Sequence, residues 1–278
     1  MGIVQIAADA SARARGEIRA AFAADDGCTH LGRLFETGGL RLRFPKSQRG
    51  CEAVIVNTAG GMAEGDCANL DFSAGPGVEA TIATQAAERI YRGDGPAGSP
   101  ATEVSVSLRL GEAACLRWLP QETILFDRAR LSRRLDVDLA PSAALIIFES
   151  FVFGRLASGE TRTCGMLRDR WRVRRAGRLA FAEDMRLEGA IGSTLDRPAC
   201  GGSARACATL LYIAPDAEGY IEEARARLRA ASRCEWGASA WNGMLVVRLL
   251  ANLPEALRAA AVDLLDALPG GGAPRVWR

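Results

Sequence analysis

Hydrophobic and polar residues alternate with a period of two in many short segments, a pattern typical of β-strands with one buried face. Residues 78–84, 103–110 and 135–139 follow this alternation. Residues 53–57 and 144–148 are continuous apolar runs, typical of strands covered on both faces. Glycine, proline, asparagine and aspartate separate the segments. Further strands are predicted at residues 39–44, 171–174, 179–181, 208–213 and 244–250.

Two segments have helical patterns instead. Residues 221–232 are rich in good helix formers, and residues 254–268 carry leucine and alanine at helical spacing between Pro254 and a Pro-Gly-Gly-Gly stop. Strands do not alternate regularly with helices, so a doubly wound α/β fold is not expected. The sequence predicts one mainly β domain over residues 1–278, with many short strands in stacked or helix-like sheets and about two α-helices towards the C-terminal half. The glycine-rich residues 93–100 are expected to form an exposed loop.

Composition and charge exclude several classes of protein. The 278 residues are 49% hydrophobic and 24% charged, which is far from the composition of a disordered chain. Lysine and arginine total 35 against 33 acidic residues, so no nucleic-acid partner is expected. Residues 168–175 (RDRWRVRR) alternate charged and apolar side chains, which indicates one solvated strand face. No apolar run approaches a membrane span and residues 1–19 do not resemble a signal peptide, so we expect a cytoplasmic protein.

The cysteines and the histidine give little sign of a tight metal site or a nucleophilic centre. The eight cysteines include no Cys-x-x-Cys pair, and we expect reduced thiols that are mostly small buried groups. His30 is the one histidine; it lies near Cys28 in a turn-like context, and no Gly-x-Ser-x-Gly elbow accompanies it. We therefore expect His30 to be a surface residue and predict no tightly bound cofactor.

A glycine-rich segment, residues 57–66, follows an apolar strand and has to be tested as a phosphate site. It lacks the Gly-Lys-Ser/Thr ending of a P-loop, and the strand-like residues 69–73 follow it where a phosphate site would need a helix. Nucleotide binding is excluded on both grounds. Gly60, Gly61 and Gly65 are expected to supply positive φ in a tight turn. A hydrolase with paired carboxylates remains open as the enzymatic alternative.

Six segments of the chain form one recognisable series. They are residues 56–66 (VNTAGGMAEGD), 84–92 (TQAAERIYR), 118–127 (WLPQETILFD), 153–160 (FGRLASGE), 168–175 (RDRWRVRR) and 274–277 (PRVW). Together and in this order they resemble the UreD family of urease accessory proteins, called UreH in some organisms. Glu64 departs from the family pattern, which commonly has glycine there, and Ala83 stands where threonine is frequent.

The resemblance implies a mostly β fold with a few helices and no catalytic activity of the chain's own. It implies a scaffold that acts with the accessory protein UreF and, through UreF, with the GTPase UreG. This complex docks on apo-urease during nickel insertion, and the family forms two-fold assemblies with its partner. The GTPase would hydrolyse GTP, in agreement with the missing P-loop.

The resemblance also implies that Ni²⁺ crosses such a protein through an internal passage. Transit favours weak oxygen ligands, because at about 10⁹ M⁻¹s⁻¹ association a picomolar site releases its ion only about once in 10³ seconds. Among the candidate carboxylates below, Asp66 is preferred because it closes a tight turn after a strand. The alternative role for each candidate is a turn cap, an ion pair or a plain surface residue. Arg92 and Arg155 are expected to pair with carboxylates. The candidates for transient nickel contact are Glu64, Asp66, Glu88, Glu122, Asp127, Glu149 and Glu160.

A pure docking scaffold without a metal route is the alternative function. An exposed apolar patch would then bind the partners. The competing interpretation is that the same side chains belong to the core. The candidates are Ile90, Tyr91, Trp118, Ile124, Leu125 and Phe126.

Overall fold

A computed structural model describes residues 13–46, 50–93, 100–160 and 163–277. Two β-sheets dominate the described part of the chain. The first sheet contains β1 (Arg15–Asp25), β2 (Cys28–Thr37), β5 (Cys67–Ala74), β8 (Thr102–Leu110), β11 (Arg130–Leu139), β13 (Gly165–Arg175) and β14 (Arg178–Gly189). The second contains β3 (Leu40–Arg43), β4 (Cys51–Asn57), β6 (Glu79–Thr84), β7 (Glu88–Ile90), β9 (Cys115–Leu119), β10 (Thr123–Leu125), β12 (Ala144–Phe153), β15 (Ala206–Ile213), β16 (Glu235–Trp241) and β17 (Met244–Ala251).

From β4 to β13 the chain winds back and forth between the two sheets. It returns to each sheet in the same direction, so β1, β5, β8, β11 and β13 are parallel neighbours, as are β4, β6, β9 and β12. Antiparallel strands complete the edges: β2 and β14 in the first sheet, and β3 and β15 to β17 in the second. The prediction of a mainly β fold with stacked, helix-like sheets is confirmed.

Side chains of the inner faces fill the space between the sheets. Leu70, Val106, Leu135 and Trp171 are register partners in successive strands of the first sheet, and all are buried. In this ladder of side chains, equivalent positions in successive parallel strands lie on top of one another. The ladder is part of the larger of two apolar cores.

A second core lies on the outer face of the second sheet, under the helices. Buried alanines and leucines of α2 and α3 pack there against β12, β15 and β17. Strand β12 serves both cores: Ile147 and Phe151 face the first sheet, while Ile146 and Phe148 face the helices. The helices are α1 (Ile191–Leu195), α2 (Ile221–Ala230) and α3 (Pro254–Asp266), with short 3-10 helices at Leu156–Ser158, Ala217–Tyr220 and Arg275–Trp277.

The sequence located most of these elements, but it did not predict β7, β9, β10, β16 or the helix α1. The predicted helices end two residues early, at Ala230 and Asp266. The hairpin of β1 and β2 was not predicted, and His30 lies on β2 as an exposed side chain instead of in a turn. The predicted loop at residues 93–100 lies mainly outside the described residues.

Candidate functional site

Three charged side chains meet in the space between the sheets. Arg133 on β11 and Asp169 on β13 are direct register partners, two positions before Leu135 and Trp171 in the ladder. Their side chains therefore point into the same interior. Arg133 Nε and Nη2 donate to the Asp169 carboxylate at 2.8 and 3.0 Å, and Arg133 Nη1 donates to Glu149 Oε2.

Glu149 reaches this cluster from the opposite sheet. It has the same parity along β12 as Ile147 and Phe151, so its carboxylate points inward, and only 3% of the residue is exposed. Arg133 is 6% exposed and stacks over the Phe151 ring, 4.4 Å from the centroid. Buried ions are tolerated only when paired and hydrogen-bonded, and both conditions hold here.

Two tryptophans hold the carboxylates independently of the arginine. Trp118 Nε1 donates to Glu149 Oε1 at 2.7 Å, and Trp171 Nε1 donates to Asp169 Oδ2 at 2.9 Å. Burial raises the pKa of Glu149 above its ordinary value. The attraction of Arg133 offsets part of this rise, and the repulsion of Asp169 adds to it. Burial lowers the pKa of Arg133, but the two carboxylates outweigh that effect and raise it. The guanidinium therefore stays charged.

Two cavities adjoin the buried charges, and Glu149 lines both of them. The cavity of about 180 Å³ is also lined by Asp169, Glu183 and Cys207. The cavity of about 60 Å³ is lined by Arg133 and Glu88 on a mostly apolar wall. A cavity needs at least about 10–15 Å³ of such space to hold a water molecule, so both cavities are large enough for water.

Glu183 belongs to the larger cavity through its position on β14. It is the register partner of Trp171, so it shares the inner face, and Arg248 pairs with it at 2.5 Å. Its chain neighbour Asp184 points outward and pairs with the exposed Arg168. Burial raises the pKa of the Cys207 thiol to about 12, so this thiol stays protonated beside the carboxylates.

Glu88 lies at the smaller cavity, where Asn57 fixes its carboxyl group. Asn57 Nδ2 is 3.0 and 3.2 Å from the two carboxyl oxygens. Burial raises the pKa of Glu88 to about 7, and the Asn57 hydrogen bond offsets part of that rise. This side chain can therefore change its charge near neutral pH.

The glycine-rich loop between β4 and β5 is held by Asp66. Its carboxylate accepts from the main-chain N–H groups of Ala14 and Ala63, each at 2.8 Å. Gly60, Gly61 and Gly65 have φ of 74°, 156° and 82°, so the expectation of positive φ is confirmed. These contacts give Asp66 the role of a loop cap.

Four other candidate carboxylates lie outside the two cavity linings. Glu122 pairs with Arg258 at 3.0 Å, and Asp127 accepts from the Cys164 N–H at 2.9 Å. Glu160 pairs with Arg155, as expected for that arginine. Glu64 is partly buried in the glycine-rich loop, with its carboxyl group near Gly93. Of the seven candidates, Glu88 and Glu149 line the two cavities.

Residues 274–277, near the C-terminus, bind the loop after β9, which lines the smaller cavity. Gln121, which lines that cavity, donates from Nε2 to the main-chain oxygens of Gln85 and Val276 at 2.8 and 2.9 Å. Trp277 Nε1 donates to Leu119 O at 3.0 Å, and Arg258 Nη2 donates to Trp277 O at 2.7 Å. The C-terminal segment thus fixes the loop after β9.

The apolar docking candidates divide between core and partial exposure. Ile90, Trp118 and Leu125 are at most 3% exposed, so the core interpretation is correct for them and they cannot form a docking patch. Tyr91, Ile124 and Phe126 are partly buried.

The expectation of mostly buried cysteines is wrong, because Cys28, Cys164 and Cys200 are exposed and the other five are partly exposed.

Sequence reasoning missed Arg133, Asp169 and Glu183. Asp169 alternates in phase with the buried Leu167, Trp171 and Val173, so the period of two could have placed it inside. Its location in a basic run concealed that signal.

No helix of the described part of the chain is long and apolar enough to cross a membrane. The described residues also contain no group of three or more His, Cys, Asp or Glu placed to hold a metal ion.

Comparison with known proteins identifies the family. The model of the UreD urease accessory protein family matches residues 14–278. Urease accessory protein UreD of Xanthobacter autotrophicus is 52% identical over 265 residues, covering 95% of this chain and 90% of the relative. The same-named protein of Methylobacterium sp. strain 4-46 is 49% identical over 274 residues, covering 96% of each. The chain thus belongs to the UreD family of urease accessory proteins.

Proposed function

We propose that this chain is a non-catalytic cytoplasmic scaffold that, with UreF and the GTPase UreG bound through UreF, docks on apo-urease and conducts Ni²⁺ through its interior. Membership of the UreD family supports a role in urease maturation. The observation that carries the proposed route is the position of Glu149, whose side chain lines both cavities between the sheets.

The chemistry of the two cavities suits transit better than storage. Glu88 contributes a carboxyl group at one cavity, and Asp169 and Glu183 contribute carboxylates at the other. Carboxylate and water oxygens bind Ni²⁺ more weakly than thiolate or imidazole, so an ion can leave as well as enter. In this proposal Ni²⁺ is cargo and the protein has no resident cofactor.

The same geometry speaks against the carboxylate hydrolase. Glu149 and Asp169 both accept hydrogen bonds from Arg133 and from a tryptophan. A general acid needs a carboxyl group that can reach the substrate, whereas Glu149 and Asp169 are buried and their oxygens are already bound to Arg133 and to indole N–H groups.

The route is tested by the nickel content of urease matured with variants of this chain. Glu183→Gln and Glu88→Gln remove one charge from each cavity and keep the side-chain size. Asp184→Asn is the matched control, because it removes a charge from the neighbouring position on the outer face. We expect less nickel per urease with the first two variants and normal loading with the control. Copurification of urease and the accessory partners verifies assembly, and full loading by both cavity variants would refute the route.

A docking role without a metal route is the second candidate, and a group of exposed apolar side chains favours it. Leu34, Phe35 and Phe44 are 38%, 51% and 40% exposed at neighbouring edges of the two sheets. Substitution of Phe35 by serine should weaken capture of the accessory partners if this edge is the docking surface. Leu179→Ser, at the exposed far edge strand β14, is the control.

A further inference from the structure

The space between the two cavities is occupied by a positive charge. Arg133 lines the smaller cavity, yet its Nε and Nη2 bind Asp169, which lines the larger one. Glu149, the residue common to both linings, accepts from the third nitrogen of the same guanidinium. Any ion that moves from one cavity to the other therefore meets Arg133 between two carboxylates.

Each of the two carboxylates has a hydrogen-bond donor besides the arginine. The indole N–H groups of Trp118 and Trp171 bind the oxygens of Glu149 and Asp169 from the side. Indoles are neutral donors, so they fix the positions of the anions and leave their charge uncompensated. The pair is thus a preformed site for a cation, and Arg133 is the cation that fills it.

Displacement of Arg133 would be costly unless another cation took its place. Two buried carboxylates without a counter-ion carry a large desolvation penalty, and the penalty falls when a positive ion replaces the guanidinium. A neutral molecule or a water cannot make that replacement. A divalent cation can, because it brings more charge to the same oxygens and has carboxylate among its ligands.

We propose that Arg133 is a displaceable internal counter-ion that closes the connection between the two cavities, and that a divalent cation passes only by taking its place between Glu149 and Asp169. This inference rests on the proposed nickel route. It assigns to Arg133 a specificity role, because only a species that can neutralise both carboxylates opens the connection. Movement of the guanidinium is towards the smaller cavity, which Arg133 already lines.

The test is direct binding of Ni²⁺ to the full chain in complex with its accessory partners, in the absence of urease. Arg133→Gln removes the competing charge and leaves both carboxylates in place. We expect calorimetric titration with Ni²⁺ to show at least about a tenfold gain in affinity over the unsubstituted chain, equivalent to about 1.4 kcal/mol. The charge-balanced pair Arg133→Gln with Asp169→Asn should lose that gain, because a single carboxylate remains.

Two results would overturn the proposal: unchanged Ni²⁺ affinity in Arg133→Gln, or an equal gain in the double variant. If Arg133→Gln folds only when Ni²⁺ is present, as followed by near-ultraviolet circular dichroism, the ion has replaced the guanidinium and the proposal is supported. If Arg133→Gln folds neither with nor without Ni²⁺, the titration is done with Arg133→Lys instead. Its compact ammonium cannot bridge both carboxylates, so a gain in Ni²⁺ affinity is expected, and wild-type affinity contradicts the proposal.

Failure of this inference is distinguishable from failure of the nickel route. The titration contains no urease, so it reports exchange of cations at the buried carboxylates whether or not delivery follows. Normal urease loading by Glu183→Gln and Glu88→Gln would reject the route, whatever affinity Arg133→Gln shows.

Discussion

Asn57 holds Glu88 at the edge of the smaller cavity, with its amide nitrogen 3.0 and 3.2 Å from the two carboxyl oxygens. The amide supplies a hydrogen bond and no charge. Burial, which disfavours the charged form of Glu88, outweighs this hydrogen bond and the attraction of the neighbouring Arg89. The titration of Glu88 therefore affects both the stability of the fold and the charge of the cavity.

The stability of the chain should fall as the pH rises from about 4.5 to 7. Burial raises the pKa of Glu88 to about 7 from the value of 4.5 for an ordinary glutamate, so in this range the folded chain binds the proton more tightly than the unfolded chain. The raised pKa of Glu88 contributes about 3 kcal/mol to the free energy of unfolding. This contribution is complete below pH 4.5 and is lost as the pH rises through 7. Urea unfolding at several pH values measures it.

Two variants check that this pH dependence belongs to Glu88. Glu88→Gln should remove the part of the pH dependence that belongs to Glu88 and become more stable relative to the unsubstituted chain at pH 8 than at pH 5. Asn57→Asp keeps the oxygen that accepts from Ala59 N–H and places a negative charge beside Glu88, so the window should move to higher pH. A profile that Glu88→Gln leaves unaltered would assign the effect to another group.

Trp277 should contribute both packing and a buried hydrogen bond. It is 5% exposed, stacks edge-on against Phe148 at 5.2 Å and donates to Leu119 O. Trp277→Ala should lower the free energy of unfolding by about 3–5 kcal/mol. Trp277→Phe keeps most of the ring and leaves the Leu119 carbonyl without its donor, so a loss of about 1–3 kcal/mol is expected. Equal losses in chemical denaturation would show that the hydrogen bond dominates.

Gly61 should not tolerate a side chain. A Cβ added there would lie 2.6 Å from a Tyr91 ring carbon and 2.8 Å from Arg89 O, at a φ of 156°. We expect Gly61→Ala to cost more than about 2 kcal/mol in thermal or urea unfolding. Gly77→Ala is the control, since its φ is 67° and its added Cβ meets no atom within 4 Å. It should cost about 1 kcal/mol from the backbone conformation alone, and a similar cost at Gly61 would mean that the ring moves aside.

Asp66 should act on loop structure before it acts on metal. Asp66→Ala removes the acceptor of two main-chain N–H groups at 2.8 Å, and we expect a loss of about 1–3 kcal/mol in unfolding free energy. Asp66→Asn retains one acceptor oxygen and should lose about half as much. If urease loading falls with Asp66→Ala but not with Asp66→Asn, loop geometry is the cause; equal loss of loading with unchanged stability would indicate a role for the charge in transit.

The period of two in the sequence was sufficient to locate most strands, because each strand buries one face against a neighbouring layer. It could not show that the strands pair in parallel. Leu70, Val106, Leu135 and Trp171 are stacked on one another although they are unevenly spaced in the sequence, so no fixed repeat reveals the winding.

The candidate site was predictable only where a local pattern sufficed. Glu88 and Glu149 lie in or near recognisable segments; Glu149 lines both cavities and Glu88 lines the smaller one. Arg133 is in phase with the buried Leu131 and Leu135, so the alternation could have placed it inside, as for Asp169. Its pairing with Asp169 and the place of Glu183 beside Trp171 depend on the register between strands, which the sequence does not show. A carboxylate such as Asp66, in contrast, satisfied the sequence criteria because it caps a turn, which is the commoner use of that pattern.

The bond from Gln121 to Val276 joins positions 155 residues apart, and it fixes a loop that lines the smaller cavity. During synthesis on the ribosome, the strands that line this cavity emerge before Val276 does. A copy truncated before Val276 therefore lacks the bond that holds Gln121, although it contains every strand of both sheets.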